Sequence, residues 1–211
     1  MIKNLKLIKY GYQFKLNIIC SFIFMLIGIV SIIYIDIYKI PSIYMMSFCS
    51  FLFFFQTAST LMSSNIVKSS PNYREFCFRI QRVINVLNFV CPICILVLIR
   101  IIQASDTNQF IEDISKELIA AGIEYFIITI YMSFVYKFFV VSILLFCVST
   151  IFTNVIINFI SDLYNITLIQ GIGVAVILFI MAMVLSEIIT RAIYKVQPSR
   201  FAQSASLRKY I

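Results

Sequence analysis

Apolar residues run through this chain in long blocks, and the polar connections between them never reach the length of a soluble domain. The blocks cover residues 16–35, 43–67, 83–102, 118–136, 138–160 and 168–189. Most are close to the roughly 20 residues that cross a ~30 Å hydrocarbon core at ~1.5 Å per residue. The pattern predicts an all-α integral membrane protein with six transmembrane helices. The fourth and fifth blocks are nearly one apolar run, about twice what a single crossing needs, so a turn is placed near Tyr136 and Lys137. Residues 161–165 are short and polar and pair the last two crossings as a hairpin. Residues 1–189 then make a single membrane domain with an interfacial N-terminal segment, 1–15, and a basic tail, 190–211.

Charge orients this domain. Fourteen of the seventeen Lys and Arg residues fall before the first block, after the even-numbered blocks, or in the tail. Cytoplasmic connections collect Lys and Arg, which places both termini in the cytoplasm. The net charge of +8 thereby answers to topology and to anionic lipid. No basic segment is long enough to build a nucleic-acid surface of its own. The first block is a full crossing with no small-residue cleavage site after it, so it reads as a span rather than a removable signal. Abundant Ile, Phe, Tyr, Lys and Asn suggest a low-GC bacterium, whose cell (plasma) membrane is the expected location of this multi-pass chain.

The connection between the second and third crossings has its own periodicity. Ser70 suits a helix cap and Pro71 the first helical position. Tyr73, Phe76, Cys77 and Ile80 follow at i, i+3, i+4 and i+7, with Glu75, Arg79 and Arg82 opposite. The spacing predicts a short cytoplasmic amphipathic helix, 71–82. It can lie on headgroups or dock a cytoplasmic partner. On the outer side, Phe110, Ile111, Ile114 and Leu118 make a similar stripe, expected to lie on the surface before the fourth crossing.

Chemistry is narrowed by what the chain lacks. It has no histidine, which removes Ser-His and Cys-His catalysis and histidine metal sites. None of its five glycines belongs to a phosphate loop followed by Lys and Ser/Thr. No catalytic, cofactor or resident metal site is therefore expected, and ATP hydrolysis falls to a separate polypeptide. Cys91 and Cys94 flank Pro92 in the third crossing. Two thiols at this spacing can form a disulfide or hold a soft metal, or they simply pack.

Polar residues inside the crossings form the remaining constellation. Gln56, Thr57, Ser59, Thr60, Ser63, Ser64 and Asn65 crowd the inner half of the second, Asn85 and Asn88 lie in the third, and Asn154 and Asn158 in the fifth. At membrane depth they must face other helices, a wetted pathway or a subunit interface. Arg100 and Glu124, placed near the outer ends of their crossings, are expected to pair. No carboxylate is then left deep in the membrane, which argues against proton coupling. Gly171 and Gly173 are read as a hinge or a close contact.

The layout resembles the membrane subunit of a type-2 ABC exporter: a basic N-terminal segment, six crossings with both ends inside, and an amphipathic helix after the second. The run Ser63-Ser64-Asn65-Ile66-Val67-Lys68-Ser69-Ser70-Pro71 is similar to the end of the second crossing in small permeases of low-GC bacteria. The resemblance implies a permease subunit that forms a translocation pathway as a homodimer, or as a heterodimer with a second permease. It also implies coupling through helix 71–82 to a separate ATPase. Two other readings stay open. One is a non-transporting immunity or scaffold protein, and the other a membrane thiol-redox or metal protein using Cys91 and Cys94.

Overall fold

The computed structural model describes residues 14–34, 68–69, 71, 73–103, 107–135, 137–138, 166–193 and 195–196, with single residues between 141 and 159. Its elements are four α-helices: α1 (Phe14–Tyr34), α2 (Tyr73–Gln103), α3 (Thr107–Val135) and α4 (Leu168–Ile193). The last three are long and apolar enough to cross a membrane, and α1 adds a shorter apolar stretch, Phe14–Val30. The described residues thus show an all-helical membrane protein with three membrane-length helices, not the expected six. The expected second crossing, 43–67, lies outside the described residues, and the fifth, 138–160, is described only at single positions.

Two expected surface helices are in fact the first turns of longer ones. Residues 73–82 run without a break into the third crossing to make α2. Their apolar positions stay in phase with Ile84, and no helix breaker separates them. The expected cap, Ser70, lies outside the described residues. Glu75 in the first turn of α2 and Arg100 in the last both complement the helix dipole. Likewise α3 begins at Thr107, so Ile114 and Leu118 do not lie on the outer surface. They are buried in a cluster with Leu96, Ala120 and Ala175. Only residues 104–106 separate α2 from α3, too few for a surface helix to fold between them. α3 ends at Val135, beside the turn expected at 136–137. At the start of α4, Thr167 and Gln170 cap each other reciprocally: Thr167 N–H donates to Gln170 Oε1 (3.0 Å) and Gln170 N–H to Thr167 Oγ1 (3.4 Å). This is a capping box, and it satisfies two amides that the helix start leaves open.

Side-chain pairings give the helix directions. Gln81 meets Ser133 near one end of α2 and α3, and Arg100 meets Glu117 toward the other. These two helices are therefore an antiparallel hairpin. Along α3 and α4 the order runs the same way: Ser115 lies at Gly171, Gly122 at Ala175 and Ser133 at Ser186. They are parallel, and Lys137 ties their C-terminal ends together by donating from Nζ to the carbonyl of Val196. Burial and the nearby Lys68 lower the pKa of that ammonium.

The α3–α4 contact is backbone on backbone. A Cβ on Gly171 would stand 2.7 Å from the carbonyl oxygen of Ser115, and one on Gly122 would stand 3.2 Å from Ala175 Cα. Gly171, Ala175, Ala182, Ser186 and Thr190 form the buried stripe of α4. Small residues of this kind let membrane helices approach and gain dispersion contacts. Phe89, Tyr125 and Phe179 fill the centre, with ring centroids 4.4–5.7 Å apart. Outward, α1 and α4 present Phe22, Leu26, Ile177, Val184 and Ile188, all exposed. Gly171 is therefore a close contact, whereas a Cβ at Gly173 would meet nothing within 4 Å. Gly171→Ala should destabilise the bundle by about 1–3 kcal/mol through overpacking. Gly173→Ala should be neutral or stabilise by up to about 1 kcal/mol, since glycine is a weak helix former. Unfolding in mixed micelles measures both.

Candidate functional site

Polar residues recur on the inner faces of α2, α3 and α4 at helical spacing: Gln81, Asn85 and Asn88; Thr129 and Ser133; Ser186 and Thr190. Folding brings them into one seam. Gln81 is its hub, donating from Nε2 to Ser133 Oγ (3.1 Å) and Ser186 Oγ (3.0 Å). It also accepts at Oε1 from Thr190 Oγ1 (2.9 Å). Asn85 Nδ2 donates to Ser186 Oγ (3.1 Å), and Ser133 Oγ to the Thr129 carbonyl (2.9 Å). All five side chains that make this network are buried. A small cleft opens beside it between α2 and α4, flanked by Phe78, Arg82, Met183 and Glu187. Glu187 accepts from Arg82 (2.7 Å) and from Arg191, so this mouth carries two guanidinium groups on one carboxylate.

Deeper in the bundle the polar groups lose their partners. Asn88 is fully buried with both side-chain polar atoms unbonded, and Tyr125 OH and Thr129 Oγ1 have only each other. Glu124 is 1% exposed and neither carboxyl oxygen has a hydrogen-bond partner. At the far end, Arg100 Nε donates to Glu117 Oε2 (3.0 Å) and the guanidinium closes on the second oxygen as well. Such fork-on-fork pairing orients both groups.

The expected sites fare differently. Arg100 pairs with Glu117, not Glu124. The tight α2–α3 turn sets Arg100 opposite Glu117, and Glu124 lies two turns, ~10 Å, deeper. Glu124 is moreover the middle residue of the membrane-length stretch Asp113–Val135, so a buried carboxyl sits midway along an apolar helix. The docking stripe turns inward as well. Phe76, Cys77 and Ile80 are core residues, with Tyr73 packed against them. Of the polar rim, Glu75 and Arg79 pair with each other on the surface and Arg82 is held by Glu187. Asn85 and Asn88 do join the interior seam. Gln56, Thr57, Ser59, Thr60, Ser63, Ser64, Asn65, Asn154 and Asn158 lie outside the described residues. Cys91 and Cys94 are free thiols, partly and well exposed respectively, on a face of α2 away from the seam.

Sequence reasoning passed over Gln81, Glu117, Ser133, Ser186 and Thr190. For the four uncharged ones the signal was an i, i+4 polar pair in or beside an apolar block, Gln81–Asn85, Thr129–Ser133 and Ser186–Thr190, visible only when polar positions are tracked across several helices at once. No protein family, curated protein or solved structure matches this chain.

The ion pair can be tested against the alternative partner. Glu117→Leu should cost about 3–5 kcal/mol by stranding Arg100, and Arg100→Leu/Glu117→Leu should recover most of it. Glu124→Leu in the Arg100→Leu background should show no such recovery. Stability in detergent, read as a double-mutant cycle, decides.

Proposed function

We propose that this chain is the membrane subunit of an ATP-driven exporter in a bacterial cell membrane, with six crossings and both termini cytoplasmic. The observation that carries the reading is the polar seam. Side chains that hydrocarbon cannot solvate are gathered between three helices, from the basic end of the bundle to its middle. A wall that only holds helices together needs fewer polar groups and leaves fewer of them unbonded. A seam with spare hydrogen-bonding capacity suits a surface that parts and closes during transport. The parallel course of α3 and α4 favours an odd number of crossings between them, in keeping with the six-span layout.

The chain has no phosphate-binding loop, so the motor is a separate ATPase, and the subunit works as a homodimer or with a second permease. The apolar stripe of 71–82 is used internally, which moves the docking surface to the outer edge of the same turns. There Arg74 lies over the Phe78 ring (5.8 Å) and Arg79 pairs with Glu75. Charged rims of this kind set partner choice and encounter rate. A non-transporting immunity or scaffold role draws on the broad apolar outer faces of α1 and α4.

Affinity purification of the intact protein from its native membrane should bring down an ATPase. Arg74→Glu/Arg79→Glu should release that ATPase while the subunit still inserts, and Phe76→Asp should instead lose the folded subunit. Recovery of a membrane protein with no ATPase would favour the scaffold role and overturn the exporter reading.

A further inference from the structure

Glu124 is a carboxyl group midway along a membrane-length helix stretch, fully enclosed, with neither oxygen bonded. An ionised carboxylate in such a place needs a counter-charge, and none pairs with it among the described residues. On α2, Arg100 is committed to Glu117, and the other groups near this depth are the thiols of Cys91 and Cys94. On α3 its titratable neighbours are Tyr125 and, about two turns away, Glu117 and the buried Lys116. The charges of α4, Glu187 and Arg191, sit at its basic end, and α1 has Lys15 at its start and Cys20 further on. A metal ion would require several oxygen or sulfur ligands, and no cluster of three such side chains occurs among the described residues.

The groups between Glu124 and the cleft have unused hydrogen-bonding capacity. Since Gln81 meets Ser133 and Phe89 meets Tyr125, the register sets Asn85 level with Thr129, and Asn88 close to Tyr125. Asn85 Oδ1 and both polar atoms of Asn88 are unbonded, and Tyr125 OH and Thr129 Oγ1 have only each other. Pro92 lies inside α2 and has no N–H to give the Asn88 carbonyl, which frees one more acceptor at this level. From Ser133 to Glu124 is ~13 Å along the helix, and the polar atoms of Asn85, Thr129, Tyr125 and Asn88 lie between them.

We infer that Glu124 is a reversible proton-binding site, filled from the basic end of the bundle through the Gln81–Asn85–Thr129–Asn88 seam. A hydronium ion gives its proton to the carboxylate, water is left behind, and the neutral carboxyl removes an uncompensated charge from the core. Proton release restores that charge, so the occupied and empty states favour different helix packing. The site needs no motor subunit, and its failure and that of the exporter reading are separate results.

Infrared difference spectroscopy of the full chain in lipid nanodiscs tests this. The wild type should show the C=O stretch of a protonated carboxyl at neutral pH, lost reversibly in strong alkali and missing from Glu124→Gln. Should that variant fail to assemble, Glu124→Asp takes its place and should move the band to the aspartic-acid position. Thr129→Val/Asn88→Leu should keep the band but lose its rapid hydrogen–deuterium exchange. A band identical in wild type and Glu124 variants, or one that never bleaches in alkali, would overturn the site. Exchange unchanged by the paired substitution would overturn the route.

Discussion

Hydrocarbon forms no hydrogen bonds, and every polar side chain in a membrane-length helix must find its partners in protein. That constraint inverts the usual arrangement in this molecule. Leu26, Ile177 and Val184 face outward, whereas Gln81, Asn85, Ser133, Ser186 and Thr190 are enclosed. The enclosure depends on α3 and α4 touching at the backbone, which Gly122 and Gly171 permit. With bulkier residues there, Ser133 and Ser186 would be held apart and Gln81 could not reach both.

The two ends and the middle of the seam differ in kind. At the basic end every polar atom of the Gln81 network except Asn85 Oδ1 is matched. At the far end Arg100 and Glu117 satisfy each other by geometry and by charge. Among the described residues most of the surplus capacity lies in the middle, where Asn88 and Glu124 are unbonded and Tyr125 and Thr129 have only each other. A structure that leaves its unsatisfied groups at one depth, between two well-paired layers, concentrates its adjustable part there.

Helix existence was legible in the sequence because apolar block length is a direct consequence of bilayer thickness, and four of the six blocks appear as helices. Boundaries were less legible. Residues 73–82 and 107–117 look like surface helices when their stripes are read alone, because polarity at a span end and polarity at an interface have the same composition. Only the three-residue link 104–106 hints that α3 must start early, and placing its start correctly moves Glu124 from near one end of its helix to the middle of the membrane-length stretch Asp113–Val135. The partner of Arg100 followed the same error, since register across a hairpin is set by the turn. The Thr167–Gln170 capping box was readable from its spacing, and the Gln81 network was not, because its members come from three helices whose relative directions no local pattern reveals.

That α3 and α4 run in the same direction has a consequence for how the molecule is made. Neighbouring parallel helices cannot be a simple hairpin, so α4 cannot fold back directly on α3 as α3 does on α2. During synthesis the α2–α3 pair therefore exists first, with Gln81 and Ser133 in place and the hydroxyls of Ser186 and Thr190 still unmade. The half-built seam exposes amide and hydroxyl groups to lipid in that interval. Its last helix arrives as a lid of small residues that seals them, and assembly becomes a timed event set by the order of the genetic message.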